Sequence, residues 1–157
     1  MKTFSNYSLC LYTDLLFGKD TELQTGSMVR KHGGSKVLIV YGGGSIIKSG
    51  LYGRITASLK NEGIPYVELP GVKANPRRSL INKGIELAKA EGVDFVLAVG
   101  GGSVIDSAKS LAIGACYDGD FWDFHSGKAV VTANKLPVGT VHTISAAGSE
   151  MSTNSVV

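Results

Sequence analysis

The sequence predicts an open α/β fold: a mainly parallel sheet flanked by helices. Three observations carry that expectation. Short, continuously apolar runs recur at KVLIVY (36–41), PYVEL (65–69) and DFVLAV (94–99), and strands apolar at successive positions are strands covered on both faces. Segments of helical periodicity lie between them. The connections are short, so strands and helices alternate in the order that right-handed crossovers require.

Each element follows from local signals. The first 35 residues read as an edge strand or hairpin around LCLYTDLLFG (9–18), then a helix capped near Asp20 and ended at Gly33 and Gly34. After the first strand run, Ser45 is placed to cap a helix in which Leu51, Ile55 and Leu59 recur every fourth residue, with Gly63 closing it. After the second run, Asn75-Pro76 supplies an N-cap and a proline at the first helical position. Leu80, Ile81, Ile85 and Ala88 form the inner face of that helix, and Gly92 ends it. After the third run, Ser103 caps a helix with Val104, Ile105, Ala108, Leu111 and Ala112 as its buried stripe. Beyond Cys116 the chain is loop-like, YDGDFWDFHSGKAVVTANK (117–135), until LPVGTVHTI (136–144) restores a strand. The aromatic group Phe121, Trp122 and Phe124 reads as a packed loop, with contact to a substrate as the alternative.

Composition narrows the function classes. A chain of 157 residues, 43% hydrophobic and 18% charged, is one domain with a real core, residues 1–157. A net charge of +3, with no basic cluster beyond Arg77-Arg78, gives no electrostatic footprint for nucleic acid. No apolar run approaches the length that spans a bilayer, and the N-terminus lacks a signal-peptide pattern. Cys10 and Cys116 have no metal-type spacing and suit a reducing cytoplasm. The expectation is a cytoplasmic protein with no nucleic-acid or membrane partner.

The chemistry-bearing features are two glycine turns, YGGGS (41–45) and VGGGS (99–103). Each falls where a strand's carboxyl end meets a helix N-terminus, the place where open parallel sheets bind ligands. Free amides and the helix dipole there suit phosphate. Glycine serves by letting oxygens approach the backbone, or by supplying φ > 0. A strand-to-helix turn with no ligand is the competing reading. Neither turn is the usual dinucleotide fingerprint: G-x-G-x-x-G fails at Ile47 in one and at Ile105 in the other. Glu68 could hold a ribose hydroxyl or be an ordinary strand-end carboxylate. Asp106, three residues after Ser103, fits a capping box. Lys109 could pair with Asp106 or reach a phosphate or ribose.

GGGSVIDSAKSLA (100–112) resembles the G-G-G-S-x-x-D-x-A-K element of the iron-containing (group III) alcohol dehydrogenases. LIVYGGGSIIKSGLYGRI (38–55), ELPGVKANPRRSLINKGIELAKAEGVDFVLAVGGGS (68–103) and ISAAGSEMSTNSVV (144–157) are similar to the butanol dehydrogenase branch in order and spacing, a likeness running from about Leu16 to Val157. The resemblance implies a Rossmann-like sheet, the N-terminal half of a dehydroquinate synthase-like two-domain fold. It sets a dinucleotide's pyrophosphate against Gly100, Gly101, Gly102 and Ser103. It turns Asp106 toward the nicotinamide end as the catalytic candidate and brings Lys109 near the cofactor. Thr140 and Thr143 fall on the adenine and ribose side, followed by the turn of Gly148, Ser149 and Glu150. An acidic residue that excludes the 2′-phosphate in this family is replaced here by Gly42, with Gly43 and Ser45 beside it. The expected cofactor is therefore NADP, with NAD as the alternative. Two positions depart from the pattern: Ile144 replaces a frequent threonine, and Lys73 stands on a surface loop where an acidic residue is frequent.

The resemblance also implies Fe2+ or Zn2+, held by one aspartate and three histidines of a helical domain that follows this chain. The histidines present, His32, His125 and His142, lack helical ligand spacing and read as structural; His142 borders the cofactor strand. The expectation is a cofactor-binding domain without the metal-binding domain, which holds NADP(H) without turnover. The complete enzyme would interconvert a small primary alcohol such as butanol and its aldehyde. Apolar surface left for the second domain favours a homo-oligomer. A dehydroquinate synthase or glycerol dehydrogenase relative, and a non-catalytic nucleotide-binding module, are the alternatives.

Overall fold

The computed structural model describes residues 13–132 and 134–157. The helices among them are α1 (Thr25–Lys31), α2 (Ser45–Lys48), α3 (Leu51–Asn61), α4 (Arg78–Glu91), α5 (Gly102–Ala115) and α6 (Trp122–His125). The strands are β1 (Val37–Tyr41), β2 (Tyr66–Leu69), β3 (Phe95–Gly100) and β4 (Val138–His142). They form one sheet in the order β2-β1-β3-β4, and every pairing is parallel.

The unbroken apolar runs are the central strands. All five residues of β1 and all six of β3 are buried, because helices cover both faces. Alternate residues go to opposite sides. Val37, Ile39 and Tyr41 join Val29, Ile55 and Leu59 of α1 and α3. Leu38 and Val40 join Ile81, Ala88, Ile105 and Leu111 of α4 and α5. β4 is half-buried throughout, and its glycine, Gly139, leaves room for the Phe95 ring.

Several helix ends differ from expectation. The segment after Ser45 is two helices: Gly50, at φ +74, separates α2 from α3, and Ser45 is the first residue of α2 rather than its cap. Asn75 takes φ +58, which an N-cap does not, so Pro76 stays outside α4 and Arg77 is the extended cap residue. Gly101 is extended at φ −92, ψ −170, which starts α5 at Gly102 and puts Ser103 inside the helix. The capping box of Ser103 and Asp106 is therefore not made. Gly63 and Gly92 do close their helices in the left-handed conformation, with the next amide returning to Leu59 and Ala88. The hairpin expected around 9–18 lies partly outside the described residues, and residues 13–18 form no strand.

Phe121 is a core residue, whereas Trp122 is partly exposed, beneath the Arg78 guanidinium at 5.7 Å and stacked against His125. The sequence reading of a packed loop is corrected in one respect: the group packs, but as the short helix α6 rather than as a loop. No helix among the described residues is long and apolar enough to cross a membrane.

Candidate functional site

The carboxyl ends of β1, β3 and β4 converge on one edge of the sheet. The backbone there is tied together: the Gly71 amide donates to the Gly42 carbonyl and the Val72 amide to the Tyr41 carbonyl, both at 3.1 Å, while the Thr143 amide donates to the Gly100 carbonyl at 3.1 Å. These bonds bring the loops after β2 and β4 to either side of the second glycine turn. Between them lies a groove of about 280 Å³. Its lining is Val72, Lys73 and Ala74 on one side, Gly101, Gly102, Ser103 and Val104 at the base, and Ile144 and Ala146 opposite.

The glycines of the turns have different reasons to be glycine. Gly100 ends β3, and a Cβ there would stand 2.6 Å from Val104 Cγ2, so its bareness lets α5 fold back against the strand. A Cβ on Gly42 would press the Val72 carbonyl oxygen at 3.3 Å. At Gly43, Gly44 and Gly102 an added Cβ would meet no heavy atom within 4 Å, and none of the three has positive φ. Neither packing nor backbone conformation calls for glycine at these three positions. What a side chain would fill is the open approach to the backbone. At α5 the first amides to find a helical acceptor are those of Val104 and Ile105, both on the Gly101 carbonyl. The Gly102 and Ser103 amides precede them at the positive end of a 14-residue helix. This base suits an anionic oxygen. Gly42, Gly43 and Ser45 stand one strand over, at the start of α2, and do not line this groove.

One turn into α5 the polar residues form a network whose partners are far away in sequence. The Asp106 carboxylate accepts the Ser149 hydroxyl at 2.5 Å. The Lys109 ammonium donates to the carbonyls of Ser149, Ser152 and Asn154, the last two at 2.8 Å, and to Ser149 Oγ at 3.2 Å. Burial pushes the Lys109 ammonium below its ordinary range, opposed by the nearby charges of Asp106 and Glu150. Glu150 Oε2 is buried without an aligned hydrogen-bond partner among the described residues, with His142 Nδ1 3.3 Å away. Thr140 lies within β4, level with Ala98 of β3.

The Glu68 carboxylate, near the end of β2, is engaged by two phenols. Tyr41 donates to its Oε2 at 2.7 Å and Tyr52 donates to its Oε1. Burial first, and then the Glu68 hydrogen bond and charge, push the Tyr41 phenol up to about 12; burial, Glu68 and the neighbouring Tyr66 raise Tyr52. Two histidines are engaged elsewhere, His32 with Asp14 at 3.1 Å and His125 with Ser110 Oγ at 3.1 Å. Among the described residues no group of three or more His, Cys, Asp or Glu could hold a metal ion. The described residues therefore do not fit a metal site of their own.

Sequence reasoning missed that Lys73 lines the groove and that Ser149 links Asp106 to Lys109. Only the apposition of distant loops shows either.

The family model described as iron-containing alcohol dehydrogenase matches residues 13–157. "Probable NADH-dependent butanol dehydrogenase 2" of Bacillus subtilis is 48% identical over 157 residues, which is 100% of this chain and 39% of that protein. NADPH-dependent aldehyde reductase YqhD of Escherichia coli is 34% identical over 98% of this chain and 39% of its own length. The crystal structure of NADH-dependent butanol dehydrogenase A from Thermotoga maritima superposes with a TM-score of 0.87 at 47% identity, covering 91% of this chain and 36% of that one. The chain thus spans well under half the length of these relatives.

Proposed function

This chain belongs to the iron-containing alcohol dehydrogenase family, and from that premise we propose that it is the dinucleotide-binding domain of an NAD(P)-dependent alcohol/aldehyde oxidoreductase. The observation that carries the proposal is the set of glycines at 43, 44 and 102, bare without a conformational or packing reason, at the mouths of two strand-to-helix turns. In this reading the Gly102 and Ser103 amides hold the pyrophosphate, with Gly101 beside them. Gly100 shapes the turn by letting Val104 pack. Thr140 and Thr143 lie toward the adenine and ribose. Asp106 faces the nicotinamide end. Lys109 acts by fastening the segment 149–154 against α5 beside that end. When bound, the dinucleotide supplies the hydride acceptor or donor; the chain's own residues bind and orient it.

For the cofactor we propose NADP(H). The stretch Gly42-Gly43-Gly44-Ser45 carries no carboxylate to repel a 2′-phosphate, and the space over Gly43 and Gly44 is open. A specific observation favours NAD(H) instead: the relatives at 47–48% identity are named NADH-dependent, and the NADPH-dependent one is 34% identical. The substrate class, a small primary alcohol such as butanol and its aldehyde, rests on the names of these relatives. The reading includes a cytoplasmic location and self-association through exposed apolar side chains such as Val130 and Val131.

Titrating the folded chain with NADPH and with NADH, followed by cofactor fluorescence, tests the proposal. Saturable binding that is tighter for NADPH supports it in full. Tighter NADH binding keeps the domain assignment and overturns the 2′-phosphate argument. A folded chain that binds neither overturns both.

A further inference from the structure

The groove over the second glycine turn has one charged lining residue, Lys73. Its backbone is well anchored. Val72, the preceding residue, is buried in the core and its amide is bonded to the Tyr41 carbonyl. Two residues after Lys73, Asn75 turns the chain in the left-handed conformation before α4 begins. The side chain itself is exposed. The remaining lining residues bring no carboxylate: they are aliphatic side chains, two glycines and Ser103. An exposed cation thus lines the same groove as a set of helix-terminal amides, and both favour an anion.

Resting on the dinucleotide reading above, we propose that Lys73 is a phosphate-contacting residue whose ammonium closes over the pyrophosphate held by the Gly102 and Ser103 amides. Its position also fixes which phosphate it reads. The open 2′-phosphate space belongs to the first turn, Gly43 to Ser45, which does not line this groove. Lys73 lies on the groove of the second turn. It therefore strengthens NADH and NADPH binding by the same factor and takes no part in choosing between them. Because the lysine is a solvated point charge, its contribution declines with ionic strength.

The test is equilibrium titration of the parent chain, Lys73→Gln, Lys73→Arg and Lys73→Glu with NADH and NADPH, at low and high salt. Circular dichroism spectra confirm folding, which an exposed substitution leaves intact. Lys73→Gln should weaken both cofactors equally, by about 5- to 20-fold at low salt, the scale of one exposed charge-assisted contact. Lys73→Arg should restore most of the affinity, Lys73→Glu should weaken it further, and high salt should narrow the gap between parent and Gln variant. A Gln variant that binds like the parent overturns the proposal while leaving the dinucleotide site standing. A loss confined to NADPH also overturns it, since Lys73 would then read the 2′-phosphate. A folded parent that binds neither cofactor removes the dinucleotide reading, and this inference with it.

Discussion

Replacing Gly102 by alanine should make the chain more stable and a worse binder, a pair of opposite signs that separates ligand approach from turn geometry. Gly102 opens α5 without positive φ, and a Cβ there meets no heavy atom within 4 Å. The folded chain therefore loses nothing, while the unfolded chain loses conformational freedom. The expected gain is about 0.4–1 kcal/mol, which raises Tm by about 2–4 °C at most for a domain of this size. The same methyl stands where a phosphate oxygen would meet the Gly102 and Ser103 amides. Losing one hydrogen bond to a charged group removes about 1.5–3 kcal/mol, or about 10- to 100-fold in Kd at about 1.4 kcal/mol per tenfold. Thermal melts followed by circular dichroism and titrations with NADH and NADPH read the two effects separately. Gly100→Ala is the control: its Cβ would lie 2.6 Å from Val104 Cγ2 and 3.0 Å from Val104 Cβ, so it should lose about 1–3 kcal/mol of stability. If Gly102→Ala binds as tightly as the parent, the bare backbone is not a cradle and the reasoning fails. If it melts earlier, the space above Gly102 is not open.

Two further expectations concern the scaffold. Gly26→Ala should lower stability by about 3 kcal/mol, because its Cβ would come within 2.3 Å of the Ser58 carbonyl oxygen, backbone that cannot swing aside where α1 meets α3; an unchanged urea midpoint would show that these helices separate freely. Tyr41 sets an alkaline limit: its folded pKa, raised from the ordinary 10.0 to about 12, means that the stability from its neutral form is complete below pH 10 and is lost as pH climbs toward 12. Tyrosinate absorbance should therefore rise in step with unfolding in that window. In Glu68→Ala the ionisation should begin nearer 10 and the chain should lose about 1–3 kcal/mol for the phenols left without an acceptor. Early, complete tyrosine ionisation in the native parent would contradict this.

What was legible in the sequence, and what was not, follows from the range of the forces involved. The central strands β1 and β3 were visible because burial on both faces permits apolar residues at every position, a pattern that a helix with one solvent face does not share. Helix C-termini at Gly63 and Gly92 were visible because a left-handed residue is a local requirement that glycine meets. The N-termini were misplaced by one or two residues. Ser45, Asn75 and Ser103 are good cap residues by type, yet their backbones were decided by neighbours: Gly101 extends, and Asn75 turns left-handed. The glycine turns were legible as turns, but not which glycines are bare for packing and which stand open, since that depends on where the Val104 side chain packs against Gly100. Asp106 and Lys109 make the same point more strongly. At i and i+3 they suit a local ion pair worth about 0.2–0.5 kcal/mol. Instead, the Ser149 hydroxyl takes the carboxylate, and the carbonyls of residues 149, 152 and 154 take the ammonium. An exposed pair in water gains little, whereas a partly buried ammonium needs acceptors for its protons wherever the fold supplies them. The segment 40–45 residues downstream supplies them. Residue spacing along α5 therefore identifies the charges that matter, and only the returning chain determines what they hold.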